Sequence, residues 1–205
     1  ADMNNKKPRG RRHSGLLAAF IALATSAGAA QATTLNFDDL ALFAFIPQDY
    51  GDRATGTAAD AFVYGEGEGY TPNVVVEYTT TNTPTPFNVW DGYGDLSRAL
   101  GHNQFSVLGD LVLRPDAGFR VVLHSFDLGA FQGNYTNSRV QVLDLDGTPL
   151  FDTGVFTALL APAGAGPGHY TFPDNGPVSS GNGLRIVVTE FGDLGLDNIS
   201  FSQTP

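Results

Sequence analysis

Two short apolar stretches each carry a pair of adjacent oxygen-bearing side chains. Asp38 and Asp39 lie within Leu35-Asn36-Phe37-Asp38-Asp39-Leu40, and Asp197 and Asn198 lie within Leu196-Asp197-Asn198-Ile199-Ser200-Phe201. Calcium takes about six to eight hard oxygens, which carboxylates, an amide side chain and backbone carbonyls can supply. If the two stretches pair as strands, Asp38, Asp39, Asp197 and Asn198 meet, an arrangement that is costly without a positive charge between them. Neighbouring side chains on a strand face opposite ways, so Asp39 and Asp197 are the first choice for one ion. The competing reading makes all four polar strand-end residues that face solvent or cap a turn.

A second group suits recognition of another molecule. Phe87-Asn88-Val89-Trp90-Asp91-Gly92-Tyr93-Gly94-Asp95 sets the only tryptophan and a tyrosine among glycines and acids. Aromatic faces beside carboxylates suit sugar rings, which offer C–H faces for stacking and hydroxyls for hydrogen bonds. Trp90, Asp91, Tyr93 and Asp95 are therefore the candidate ligand-binding residues. Equally, Trp90 can be a core anchor with Tyr93 as its lid.

Catalysis has little support in the residue pattern. His102, His124 and His169 are scattered, and neither a Gly-x-Ser-x-Gly elbow nor a His-Glu-x-x-His motif accompanies them. A glycosidase needs two opposed carboxylates, and spacing alone nominates no pair among so many acids. Asp144-Leu145-Asp146-Gly147 resembles the opening of a helix-loop-helix calcium loop, yet the closing acid and flanking helices are missing, so it reads as a turn.

The elements that must position these residues are strands. Short runs rich in Val, Phe, Leu and Thr, bounded by Gly, Pro, Asn and Asp, predict strands near 33–38, 57–64, 73–80, 105–113, 118–128, 138–145, 149–152, 168–172, 184–190 and 196–202. Asp146-Gly147 predicts a tight hairpin. Residues 118–128, apolar on parts of both faces, suit a central strand. Glycine-rich residues 65–72 and 161–168 read as loops, and Asp95–Leu100 as a helical turn closed by Gly101. The expected fold is a single-domain, antiparallel, jelly-roll-like β-sandwich over residues 33–205.

Residues 1–32 are set apart from that domain. Ala1-Asp2 read as an expression remnant before Met3. A basic stretch (Lys6, Lys7, Arg9, Arg11, Arg12), an apolar run from Leu16 to Ala24 and small residues ending at Ala32 follow in the order of a cleavable secretory signal peptide. The apolar run is too short to span a bilayer. Beyond it remain six arginines, no lysine and twenty acids, a net charge of −14. Such a body repels nucleic acid and anionic membranes and attracts divalent cations. With no cysteine, an exported chain must hold its fold without disulfides.

The leader, the opening Leu35–Leu40, the middle Val121-Val122-Leu123-His124-Ser125-Phe126-Asp127-Leu128 and the closing Leu196–Phe201 together resemble exported bacterial proteins of the PEP-CTERM class. In that class a Val-Pro-Glu-Pro sorting signal, an apolar helix and a basic tail follow the body, whereas this sequence stops at Gln203-Thr204-Pro205. The closing strand also resembles that of galactose-binding-like jelly rolls, including carbohydrate-binding modules. That resemblance implies a structural calcium where first and last strands adjoin, held by Asp38 or Asp39 with Asp197. The expected function is non-catalytic: a structural or adhesive protein of the bacterial surface or extracellular matrix, with extracellular polysaccharide as its candidate partner. A carbohydrate-active enzyme using acids in a cleft, and a self-assembling surface subunit joined through strand edges, are the alternatives.

Overall fold

The computed structural model describes residues 32–47, 50–51, 73–80, 86–104, 107–158, 170–171 and 178–205. The leader, the expected strand at 57–64 and the loops at 65–72 and 161–168 lie outside the described residues. Within them the chain is all-β. Its strands are β1 (Thr33–Leu35), β2 (Val74–Thr80), β3 (Asn88–Trp90), β4 (Ala99–Gly101), β5 (Val107–Pro115), β6 (Arg120–Ala130) and β7 (Tyr135–Ser138). They continue with β8 (Val140–Asp144), β9 (Pro149–Asp152), β10 (Phe156–Ala158), β11 (Tyr170–Thr171), β12 (Val178–Ser180), β13 (Leu184–Phe191) and β14 (Leu194–Thr204).

Twelve of these strands form one sheet whose main path runs β11-β6-β14-β13-β5-β2, while β7 and β10 pair as a separate ribbon. The sheet curls into a sandwich. One half carries β6, β14 and β1, with β3 and β4 attached at β14; the other carries β2, β5, β13, β8 and β9. The halves join at the β13–β14 corner, where Glu190 and Gly192 take positive φ and Asp193 N–H donates to the Glu190 carbonyl at 3.0 Å. Between the halves lies one main core. Leu35, Val76, Leu113, Leu123, Phe126, Val142, Ile186, Ile199 and Phe201 all bury there, and burial of such side chains contributes roughly 1.5–3 kcal/mol each.

The first and last strands do close the fold. β1 runs antiparallel to β14, with Thr33 opposite Phe201 and Leu35 opposite Ile199. On its other side β14 pairs with β6 along most of its length. That ladder contains two irregularities. β14 has two residues, Asn198 and Ile199, between the partnered positions where β6 has only Phe126; one step later β6 has the extra residue, His124. Asn198 absorbs the first bulge at φ 48, a conformation asparagine tolerates better than most residues. The bulges also shift the alternation of β6, so that Phe126 turns inward with Val121 and Leu123 rather than lying on the opposite face.

The Asp146-Gly147 hairpin is present. Gly147 adopts φ 93, and Asp144 N–H donates to the Thr148 carbonyl at 2.8 Å. The side chains of Asp144 and Asp146 accept the N–H groups of Asp146 and Thr148, as turn-forming aspartates do. The helical turn over 95–100 is absent. Leu96 N–H donates to the Tyr93 carbonyl in a tight turn, and Ala99 and Leu100 continue into β4, paired with β3 and, at Leu100, with Leu196 of β14. Burial of Leu96, Ala99 and Leu100 against neighbouring strands overrides a weak local helix preference.

Candidate functional site

The strand pairing at Leu35 and Ile199 brings the two ends together, but it does not gather the four oxygen-bearing side chains on one centre. Asp39 Oδ1 accepts from the Tyr50 hydroxyl at 2.8 Å, and Asp38 Oδ1 accepts from the Ser97 hydroxyl at 3.3 Å. Asp197, 4% exposed, accepts from the backbone N–H of Asn198 at 2.7 Å. Asn198 in turn donates its side-chain amide to Asp127 Oδ2 at 2.9 Å. The carboxylate that adjoins Asp197 is thus Asp127, its direct antiparallel partner on β6. Among the described residues no group of three or more His, Cys, Asp or Glu side chains is placed to hold a metal ion. The residues fit a calcium cage poorly, because the carboxylates of the opening and closing strands are bonded to separate protein donors.

The aromatic stretch divides into a buried part and an open part. Tyr93 is 1% exposed and belongs to the interior, where it packs with Leu96 and Ala99. Its hydroxyl donates to the Gly192 carbonyl at 2.8 Å, and burial pushes that hydroxyl's pKa far up. Tyr93 therefore packs its ring inside the fold rather than at the surface. Asp91 and Asp95 are exposed. Trp90, at the end of β3, is partly buried against Phe131, with ring centroids 6.3 Å apart, and its indole N–H is buried without a hydrogen-bond partner.

What completes an aromatic surface at Trp90 comes from elsewhere in the chain. Phe43 meets the indole edge-on, with centroids 5.0 Å apart and planes at 79°. Phe43 and Phe45 are 58% and 59% exposed, so two large rings stand near one another at the surface, and an apolar patch of that kind marks an interaction site. The segment carrying them lies along β3 in a fixed register. Phe43 N–H donates to the Val89 carbonyl at 2.7 Å, Val89 N–H to the Ala44 carbonyl at 3.0 Å, and Ile46 N–H to the Phe87 carbonyl at 2.9 Å. The Asn88 amide adds a bond to the Phe43 carbonyl. Phe43, Phe45 and the partly exposed Trp90 form a ledge, with Asp91 beside it. Phe43 sits in a turn at φ 65, with Ala44 N–H donating to the Ala41 carbonyl at 3.0 Å, so strand alternation does not account for this outward-facing pair and the sequence carried no signal for it.

No protein-family model matches the chain, and no curated protein matches it. Solved structures with some backbone similarity include one tailspike domain. It is the enzymatically active domain of tailspike protein 4 from bacteriophage CBA120, at 17% identity and a TM-score of 0.29 over 64% of this chain. The match spans about a fifth (19%) of that protein's length. A likeness this slight carries no argument about activity or ligand.

Proposed function

We propose that this chain is an exported, non-catalytic surface or matrix protein that adheres to extracellular polysaccharide through the Phe43–Phe45–Trp90 ledge. The observation that carries the reading is the edge-on contact of Phe43 with Trp90, two rings held by a hydrogen-bonded backbone while Phe43 stays more than half exposed. Rigid aromatic side chains give contact area at low conformational cost, and the neighbouring Asp91 carboxylate can accept from sugar hydroxyls. The leader-like residues 3–32 support export. The excess of acids disfavours nucleic acid and anionic lipid as partners.

Trp90 is the sole tryptophan, so its fluorescence reports on the ledge directly. Titration with neutral matrix polysaccharides should produce a saturable change. Phe43→Ala should weaken binding about tenfold while leaving the unfolding midpoint nearly unchanged, since a stacking contact is worth roughly 0.5–1.5 kcal/mol. Binding that survives Phe43→Ala and Trp90→Ala unaltered would remove the ledge reading, and turnover of a glycan panel would replace adhesion with catalysis.

A further inference from the structure

A second surface stands on different residues. β2, β5 and β13 lie side by side, and their register places Glu77, Val112 and Arg185 in one row and Thr79 and Asp110 in the next. Side chains at directly paired positions project from the same face of a sheet. Here they line an open groove of about 320 Å³, together with Arg114 and Leu145. This volume sits at the small end for ligand sites, so it suits a single ring rather than an extended molecule.

Its charges form two cross-strand ion pairs. Arg114 bonds Glu77 at 3.2 and 3.4 Å near the rim, and Arg185 bonds Asp110 at the floor. Two of the six arginines beyond the leader thus meet two of the twenty acids, leaving a locally neutral groove in a strongly acidic body. The floor pair is incompletely satisfied. Asp110 is 3% exposed, yet only Oδ2 receives the Arg185 bond; Oδ1 has no partner, and neither has the buried Nε of Arg185. Burial raises the Asp110 pKa, with Arg185 opposing the rise. Leaving a buried acceptor and a buried donor side by side unbonded is costly. The Arg185 side chain retains 32% exposure, so its guanidinium can swing and open both atoms to the groove.

We propose that the groove binds one neutral sugar ring, with one hydroxyl donating to Asp110 Oδ1 and an adjacent hydroxyl oxygen accepting from Arg185 Nε–H. A vicinal diol supplies both roles in one rigid unit, and Val112 and Leu145 offer apolar surface to the ring's C–H edge. A charged ligand would unbalance the paired charges; a neutral one does not. This deepens the polysaccharide reading by adding a ring-binding subsite, and it rests on that reading only for the ligand class.

The test is a titration of the whole chain with methyl glycosides of glucose, galactose and mannose, and with a methyl glucuronide, following the Arg185 Nε–H resonance by NMR. A saturable shift is expected with at least one neutral glycoside, and weaker binding of the glucuronide. Asp110→Asn should reduce affinity about tenfold, as loss of a charge-assisted hydrogen bond does. Should that variant fold poorly, Thr79→Tyr at the exposed rim should block the groove instead. The Arg185 Nε–H resonance reads the groove, whereas Trp90 fluorescence reads the ledge, so failure at one site is distinguishable from failure at the other. Absence of a saturable shift up to the solubility of the glycosides, or unchanged binding in the groove variants, overturns the proposal.

Discussion

Tyr93 and Gly192 are joined by a hydrogen bond of 2.8 Å from the phenol to the carbonyl across 99 positions of sequence. That bond ties the turn after β3 to the β13–β14 corner, where the two halves of the sandwich meet. The ring reaches the corner because glycines leave it room. A Cβ at Gly101 would stand 2.6 Å from the Tyr93 hydroxyl oxygen, and one at Gly195 would stand 3.0 Å from the ring.

Tyr93→Phe keeps the ring and removes the donor, leaving a buried carbonyl unbonded. The expected loss is about 1–3 kcal/mol in urea unfolding, with polysaccharide binding at the ledge unchanged. Burial raises the Tyr93 pKa above its ordinary value of 10.0, so the folded state keeps the proton that the unfolded state releases. Its contribution is complete below pH 10 and declines as the pH rises beyond it. The alkaline decline should be shallower in Tyr93→Phe; equal declines would show that this hydroxyl is not its source.

Two glycines distinguish packing from backbone strain. A Cβ at Gly129 would lie 2.4 Å from the Tyr93 carbonyl oxygen, whereas Gly118, at φ 89, has open space around it. Gly118→Ala should cost about 1 kcal/mol through its backbone alone. Gly129→Ala should cost more, about 3 kcal/mol, because backbone must move. Thermal melts of the two variants compare them directly, and a reversed order would contradict this packing.

Arg139 and Asp152 make a pair that can be followed in isolation. The Arg139 hydrogen bond, with help from the Gly154 N–H, lowers the Asp152 carboxyl to about 2. The charged form is thus favoured on folding, an advantage present above the ordinary value of 3.8 and lost as pH falls through about 2. Both groups are exposed, so the effect on total stability is small. NMR titration of Asp152 should show its midpoint rising toward 3.8 in Arg139→Gln; a midpoint that stays put would mean the arginine is not the cause.

Asn198 sits between two facing acids, bonding Asp127 through its amide and Asp197 through its backbone N–H. Asn198→Ala should destabilise by about 1–3 kcal/mol, since Asp127 loses a donor and a less tolerant residue must take φ 48. Unfolding of the variant in chelator and in saturating calcium carries a second message. A ligand that favours the folded state must stabilise it, so recovery in calcium would put a cation in the amide's place. Identical curves would remove calcium from this seam.

Much of the scaffold was legible because strand formation leaves a local trace. Val121, Leu123 and the Val140-Gln141-Val142 run show period-two patterning, and Asp146-Gly147 names its own turn. β3, β4, β7, β10 and β12 were not read. Each has only three or four residues, too few for alternation to register, and β12 owes its pairing to β6, far away in sequence. Ser138 and Ser180 are buried in such strands, against their usual preference for the surface.

By itself, the sequence determined that this is an all-β chain, closed by its first and last strands, with aromatic and acidic residues near Trp90. Only the tertiary structure decided which of those residues face outward. It buried Tyr93, opened Phe43 and Phe45, and placed Asp127 rather than Asp39 beside the Asp197–Asn198 pair. The physical reason is that element type follows from local backbone preference and periodicity, whereas exposure and proximity follow from what packs on top. Bulges such as the one at Asn198 reverse a face without leaving any trace in hydrophobic pattern.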